Sequence, residues 1–200
     1  MKKYCGLWLG LMLGLCLFSI QTGQAGDILV PNGDFELAND EGQPIDWFVD
    51  LVNPEKNKVA VDTKVYHSGK SSLYFEKGCS PKDYEGTTTP GLGSWMYMRS
   101  KEFTLPKPGK YLFSYWVKQG DGPGELWFVL YRTEPLGQLN DDKGTPIVVC
   151  KDKSGDWKLY EKVIEIPRDW TTLGIQPQML NANKAWIDEI KITPLDEEEE

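Results

Sequence analysis

The sequence predicts an all-β chain folded as a two-sheet antiparallel β-sandwich, on three observations. Short runs rich in β-branched and aromatic residues recur between residues 27 and 192. Clusters of Gly, Pro, Asn and Asp separate them, and these residues supply the special φ values and local hydrogen bonds that turns need. No window of 12 or more residues sustains the apolar period of a helix. About ten short strands in one domain bury their apolar faces most simply as two packed sheets.

Residues 1–25 are expected to precede the fold. Lys2 and Lys3 give a positive start, an apolar run GLWLGLMLGLCLFSI follows, and Gly23-Gln24-Ala25 offers small residues for cleavage. This pattern is that of a secretory signal peptide cut after Ala25. A lipoprotein signal at Cys16 is the alternative, but Leu15 is large for the residue before a lipidated Cys and the apolar run continues past it. The run is shorter than the roughly 20 residues of a membrane span. The chain is therefore expected to be secreted, periplasmic or displayed at the cell surface, with no membrane span.

The strands follow in order. DILV at 27–30 leads into the turn residues Asn32 and Gly33, and WFVDLV at 47–52 ends before Asn53-Pro54. VAVDTKVY at 59–66 and SSLYFEK at 71–77 flank Ser68-Gly69, while WMYMRSKEFTL at 95–105 stops at Pro106. KYLFSYWVKQ at 110–119 lies between Pro108-Gly109 and Gly120-Asp121-Gly122-Pro123. ELWFVLYRT at 125–133, PIVVCKD at 146–152 and WKLYEKVIEIP at 157–167 come next, the last two separated by Ser154-Gly155-Asp156. TTLGIQPQML at 171–180 and AWIDEIKI at 185–192 complete the set, and 196–200 (DEEEE) is expected to be a solvated acidic tail. Residues 26–195 thus form one domain.

Alternation assigns faces. In 111–118, Tyr111, Phe113, Tyr115 and Val117 share the side better suited to the core, opposite Leu112, Ser114, Trp116 and Lys118. In 95–100, Met96 and Met98 oppose Trp95, Tyr97 and Arg99. A face carrying Trp, Tyr and Arg is awkward as core and suits a surface that stacks on something flat.

Composition narrows the chemistry. The net charge of −8 argues against nucleic acid or an anionic membrane, which need a basic footprint, and favours neutral or cationic ligands. Of four Cys, Cys5 and Cys16 lie in the leader. A Cys79–Cys150 disulfide is expected in an oxidising compartment, two free thiols being the alternative. Closing so long a loop would stabilise the fold by roughly 4 kcal/mol. Catalysis has little support. His67 is the only His and sits in a Ser-Gly turn, and HSGKSS lacks the leading Gly and following helix of a phosphate loop. Zinc spacing is absent outside the leader. Among 30 acidic residues, no pair stands out as a glycosidase couple.

The motifs NGDFE at 32–36 followed by Trp47, VYHSGKSSLYF at 65–75, GKYLFSYWVK at 109–118, DWKLYEKVIEIP at 156–167 and AWIDEIKI at 185–192 run in order along the chain. In that order the chain resembles carbohydrate-binding modules of the family 4, 9 and 22 type, within the galactose-binding-like jelly rolls. The resemblance implies adjacent first and last strands with a structural calcium between them. Its implied ligands are Glu36 and Asp188, with carbonyls from Asp34 and the turn Ser68-Gly69-Lys70. Calcium prefers six to eight hard oxygens, which carboxylates and carbonyls supply. Alternatively, Asp34 and Glu36 are surface carboxylates and Asp188 makes a buried hydrogen bond.

The resemblance also implies a poly- or oligosaccharide ligand held by aromatic side chains on one sheet face. Of eight Trp and nine Tyr, only Trp8 and Tyr4 lie in the leader. Trp157 and Trp186 align with packing positions, and Trp47 reads the same way. The platform candidates are Trp95, Tyr97, Trp127 and Tyr131, with Trp116 balanced between core and platform. Arg99, Arg132, Gln119 and Asn140 are candidate hydroxyl readers. The expectation is a non-catalytic sugar-binding protein, the alternative being a structural or protein-interaction sandwich of an extracellular assembly.

Overall fold

The computed structural model describes residues 28–50, 55–78, 95–122, 124–139, 148–150, 153–181 and 183–195. Thirteen strands are named among them. They are β1 (Ile28–Leu29), β2 (Trp47–Asp50), β3 (Asn57–Asp62), β4 (Ser72–Lys77), β5 (Trp95–Ser100), β6 (Phe103–Thr104) and β7 (Gly109–Gln119). The rest are β8 (Glu125–Arg132), β9 (Gly137–Leu139), β10 (Val148–Cys150), β11 (Lys158–Ile166), β12 (Thr172–Leu180) and β13 (Asn183–Pro194). Every pairing is antiparallel. Among the described residues no helix is long and apolar enough to cross a membrane.

Sheet I runs β11-β7-β13-β4-β3 with β1 on β13, and sheet II runs β10-β8-β12-β5-β2 with β6 on β12 and β9 on β8. This is the two-sheet jelly-roll sandwich that the sequence predicts. Two details differ. The run expected at 95–105 breaks at Lys101-Glu102 into β5 and β6, and β3 ends at Asp62, with bends at 63–65. The short β9 went unforeseen because it is only three residues long and folds back on β8.

The core follows the alternation. Tyr111, Phe113, Tyr115 and Val117 of β7 point inward and are buried. Opposite them lie Met96 and Met98 of β5, Leu126, Phe128 and Leu130 of β8, and Leu173, Ile175 and Met179 of β12. Tyr115 stacks on Phe128 across the interface with centroids 4.0 Å apart. At roughly 1.5–3 kcal/mol for each large side chain removed from water, this interlock is the main stabilising element.

Cys150 sits inside that core rather than in a bridge. It is a free, buried thiol whose Sγ lies 3.4 Å from Tyr115 Oη. Burial pushes its pKa up from 9.0 to about 12, against the opposing hydrogen bond of Tyr115. The expected disulfide is therefore not present at Cys150: as the inward residue of β10 it packs into the sandwich interior. Cys79 lies outside the described residues, as do the leader and the acidic tail.

Candidate functional site

The outer face of sheet II gathers aromatic and amide side chains. Alternation on β5 sends Tyr97 and Arg99 outward, while Met96, Met98 and Ser100 turn in. On β8, Trp127 lies outward between Leu126 and Phe128, and on β12 Gln176 and Gln178 lie outward between Ile175, Pro177 and Met179. Register then aligns them: Trp127 pairs with Gln178, and Gln178 pairs with Tyr97. One row across three neighbouring strands thus reads Trp, Gln, Tyr. Val149 of β10 extends it beyond Trp127. Trp127 and Tyr97 are half-buried, so each keeps part of its ring open. The Trp127 Nε1–H donates to Glu125 Oε2 at 3.0 Å, which fixes the indole.

Beside this row the sheet is locally parted. Pro177 has no N–H to give, and β12 pairs with β5 only at Gln178–Leu180, pairing resuming with β6 at Thr172–Leu173. In the gap the Ile175 N–H donates to Ser100 Oγ at 2.9 Å, a side chain standing in for a strand. Tyr131 lies across β12 over Gly174, where an added Cβ would overlap its Cζ and Cε1, and its hydroxyl donates to Ser100 O at 2.6 Å. The result is a pocket of about 410 Å³ lined by Phe48, Arg99, Lys101, Glu102, Tyr131 and Thr133. Phe48, 63% exposed on the edge strand β2, also lines a second pocket of about 450 Å³ with Asn39, Glu41, Gln43, Trp47 and Val49.

Charges in the first pocket are partly committed. Glu102 Oε1 accepts the Thr133 N–H at 2.7 Å, and Lys101 Nζ lies 3.7 Å from Asp46 Oδ1. The Arg99 guanidinium carbon lies 6.0 Å from the Tyr97 ring centroid. Burial raises the Tyr131 pKa, with Arg99 opposing and Glu102 adding to the shift, so its hydroxyl stays a donor at neutral pH.

The candidates read from sequence fall into groups. Tyr97, Arg99 and Trp127 share this outer face, and Tyr131 walls its pocket, although at 6% exposed it offers only an edge. Trp95 pairs with Leu180 in the register, and its side chain lies outside the described residues. Trp116 does not join them. It projects from the outer face of sheet I, where the His67 ring stacks on it at 3.7 Å and 15°. Arg132 is turned inward, donating to Asp169 O and Asp169 Oδ2 at 2.8 Å each and covering Trp170, so it anchors a turn rather than reading a ligand. Gln119 is buried and donates to Cys150 O. Asn140 lies outside the described residues. Sequence reading missed Phe48, Gln176, Gln178, Lys101, Glu102 and Thr133. The two glutamines were visible as alternate positions in 171–180; the pocket residues had no signal before the strands were paired.

Trp47 packs in the core against Phe35 as expected, with centroids 5.2 Å apart. Trp157 and Trp186 are only half-buried and stand outside the buried core. Trp186 bonds Asp62 Oδ2 at 2.8 Å and tilts against Tyr74, and Trp157 meets the His67 ring edge-on.

Glu36 of NGDFE and Asp188 of WIDEI converge on one turn. β1 pairs with β13, so the first and last strands do lie together. Glu36 Oε1 accepts the N–H groups of Lys70 and Ser71 at 2.7 and 3.1 Å. Asp188 Oδ2 accepts those of His67 and Ser68 at 2.9 and 3.0 Å, and its Oδ1 that of Glu189 at 2.8 Å. A β-bulge between Asp188 and Lys191, with Glu189 at φ 49°, aims Asp188 at the turn. Gly69 fits at φ 63° because any Cβ would overlap Glu36 Oε1. Asp34 is exposed, whereas Phe35 between the two carboxylates is fully buried.

Could these donors suit calcium? Their chemistry does: two oxygen-only carboxylates reach one turn whose carbonyls are hard ligands as well. Burial raises the Asp188 pKa despite three backbone hydrogen bonds, and such a carboxylate gains from a neighbouring cation. Ser68 and Lys70 give their N–H groups to the carboxylates, and their carbonyl oxygens are hard donors that a metal could take. Among the described residues no three His, Cys, Asp or Glu side chains cluster, so any calcium would rest on two carboxylates and the main chain.

No sequence-family model and no curated protein matches the chain. Solved structures do match in fold. A family 61 carbohydrate-binding module in complex with β-1,4-galactotriose aligns at a TM-score of 0.51 and 17% identity, over 82% of this chain and 96% of that one. A xylan-binding domain of family 22 aligns at 0.52 and 16%, over 86% and 96%. The enzymatically active domain of a bacteriophage CBA120 tailspike aligns at 0.56 and 11%, over 82% of this chain but 21% of that one. At such identities the likeness is one of fold: the chain has the jelly-roll fold of carbohydrate-binding modules.

Proposed function

We propose that the chain is a secreted, non-catalytic carbohydrate-binding protein that holds a poly- or oligosaccharide across the outer face of sheet II. One observation carries this reading: Trp127, Gln178 and Tyr97 form a single row over three adjacent strands. Pyranose rings present apolar C–H faces that pack on aromatic rings, and the glutamine amide can both donate to and accept from hydroxyls. Arg99 and Gln176 add polar groups on the same face, while Phe48 and Tyr131 extend the apolar wall. Fold relatives that bind galactotriose and xylan support the reading. So does the commitment of the one imidazole, His67, to Trp116 and Glu189 on the other sheet.

Calcium belongs to this proposal as a structural ion. Glu36 and Asp188, with carbonyls of the turn at Ser68–Lys70, would hold it, and it would tie both chain ends to that turn.

Affinity electrophoresis of the purified chain through gels holding β-glucan, xylan, mannan or galactan tests the function. Retardation by at least one polymer, relieved in Trp127→Ala, is expected. Unretarded migration of folded protein in every gel would instead favour a protein-interaction role. One feature suits that second reading: Leu159 and Val163 are exposed on the edge strand β11, opposite Trp116 and Leu112 in the register.

A further inference from the structure

We infer that the ligand is a carboxylate-bearing glycan, one with uronosyl residues, and that Arg99 recognises its carboxylate. The inference rests on the sugar-binding reading of sheet II and names the substrate class of that site. It begins from a mismatch of charge. The chain carries −8 overall, yet its aromatic face presents an arginine. Arg99 is exposed and, among the described residues, forms no ion pair. Its guanidinium leans over Tyr97 and lines the pocket with Phe48 and Tyr131.

The other charges nearby are occupied. Glu102 Oε1 accepts the Thr133 N–H and Lys101 approaches Asp46, which leaves Arg99 as the pocket's cation with no carboxylate partner among the described residues. A guanidinium presents two parallel N–H donors that match a carboxylate in a bidentate pair, and a plane that also rests on an aromatic ring. A uronosyl unit provides both halves of this arrangement: an apolar ring face for Tyr97 or Phe48 and a carboxylate at its edge. Neutral sugars would offer the guanidinium single hydroxyl acceptors in place of a carboxylate's paired, charged oxygens.

Long-range repulsion from the acidic chain opposes a polyanion, but at about 0.15 M salt it is screened beyond about 8 Å, whereas a close bidentate contact is screened much less. The preference should therefore stand out at physiological ionic strength.

The test is titration calorimetry of the full chain with oligogalacturonate and with the same oligomer after carboxyl reduction, beside neutral xylo- and galacto-oligosaccharides, in 0.15 M salt (roughly physiological). At least about tenfold tighter binding of the uronate than of its reduced partner is expected, about 1.4 kcal/mol. Arg99→Gln should abolish the difference while leaving the unfolding midpoint unchanged. Equal affinity for the uronate and its reduced form would overturn the inference, as would a difference that survives in Arg99→Gln. Binding of neutral oligosaccharides with no uronate preference would sink this inference alone; silence toward every saccharide would sink the sugar reading as well.

Discussion

At the scale of single residues, the site depends on side chains that fit only one way. Gly174 makes room for the Tyr131 ring, so Gly174→Ala should push the ring off β12 and break its bond to Ser100 O. A loss of about 1–3 kcal/mol is expected from such overpacking, measured by urea unfolding. Trp127 and Tyr97 differ because they are only half-buried. Trp127→Ala should weaken saccharide binding at least about tenfold in calorimetry, with a smaller effect on stability. Cys150 illustrates burial acting on chemistry. Its folded pKa of about 12 exceeds the ordinary 9.0, so the protonated thiol favours the fold. That contribution is intact below pH 9.0 and is lost as pH rises toward about 12. Cys150→Ala should flatten this part of the alkaline unfolding curve by up to about one proton.

At the scale of elements, two irregularities do the positioning. The β12–β5 gap is bridged by Ser100 Oγ, and Ser100→Ala would leave the buried Ile175 N–H without an acceptor. A cost of about 1–3 kcal/mol should follow, with the pocket wall disturbed in the same variant. On the other sheet, the β13 bulge and Glu36 together grip the turn at His67–Ser71. If calcium reinforces that grip, chelation should lower the thermal midpoint and Glu36→Gln should remove the response. Superimposable melting curves with and without chelator would mean that backbone amides alone hold the turn. Glu189 steadies the same corner: burial works against its ionisation, but Lys191 and His67 outweigh it and hold its carboxyl below the usual range.

For the whole molecule, stability comes from the interlocked aromatic and aliphatic layer between the sheets, and among the described residues no covalent staple adds to it. With Cys150 a free buried thiol, a reducing agent should leave the thermal midpoint of the chain unchanged. A drop on reduction would show a bridge that this core arrangement does not contain. The two outer faces also present different groups. Sheet II presents the Trp127–Gln178–Tyr97 row, and sheet I presents the His67–Trp116 stack above Asp188.

By itself the sequence determined most of the strands and the inward sets on β5 and β7, because alternation is a local property of an extended backbone. It also placed Glu36 and Asp188 at one turn, through a resemblance spread over five motifs. Only the tertiary structure decided which aromatic residues share a surface. Trp127 read as a platform residue and Trp116 as balanced between core and platform; strand pairing sends them to opposite faces of the molecule. The burial of Arg132 and Gln119, the free state of Cys150 and the pocket over Gly174 depend likewise on what lies across the sheet or the sandwich. Those neighbours are set by long-range register and packing, which no local run of residues encodes.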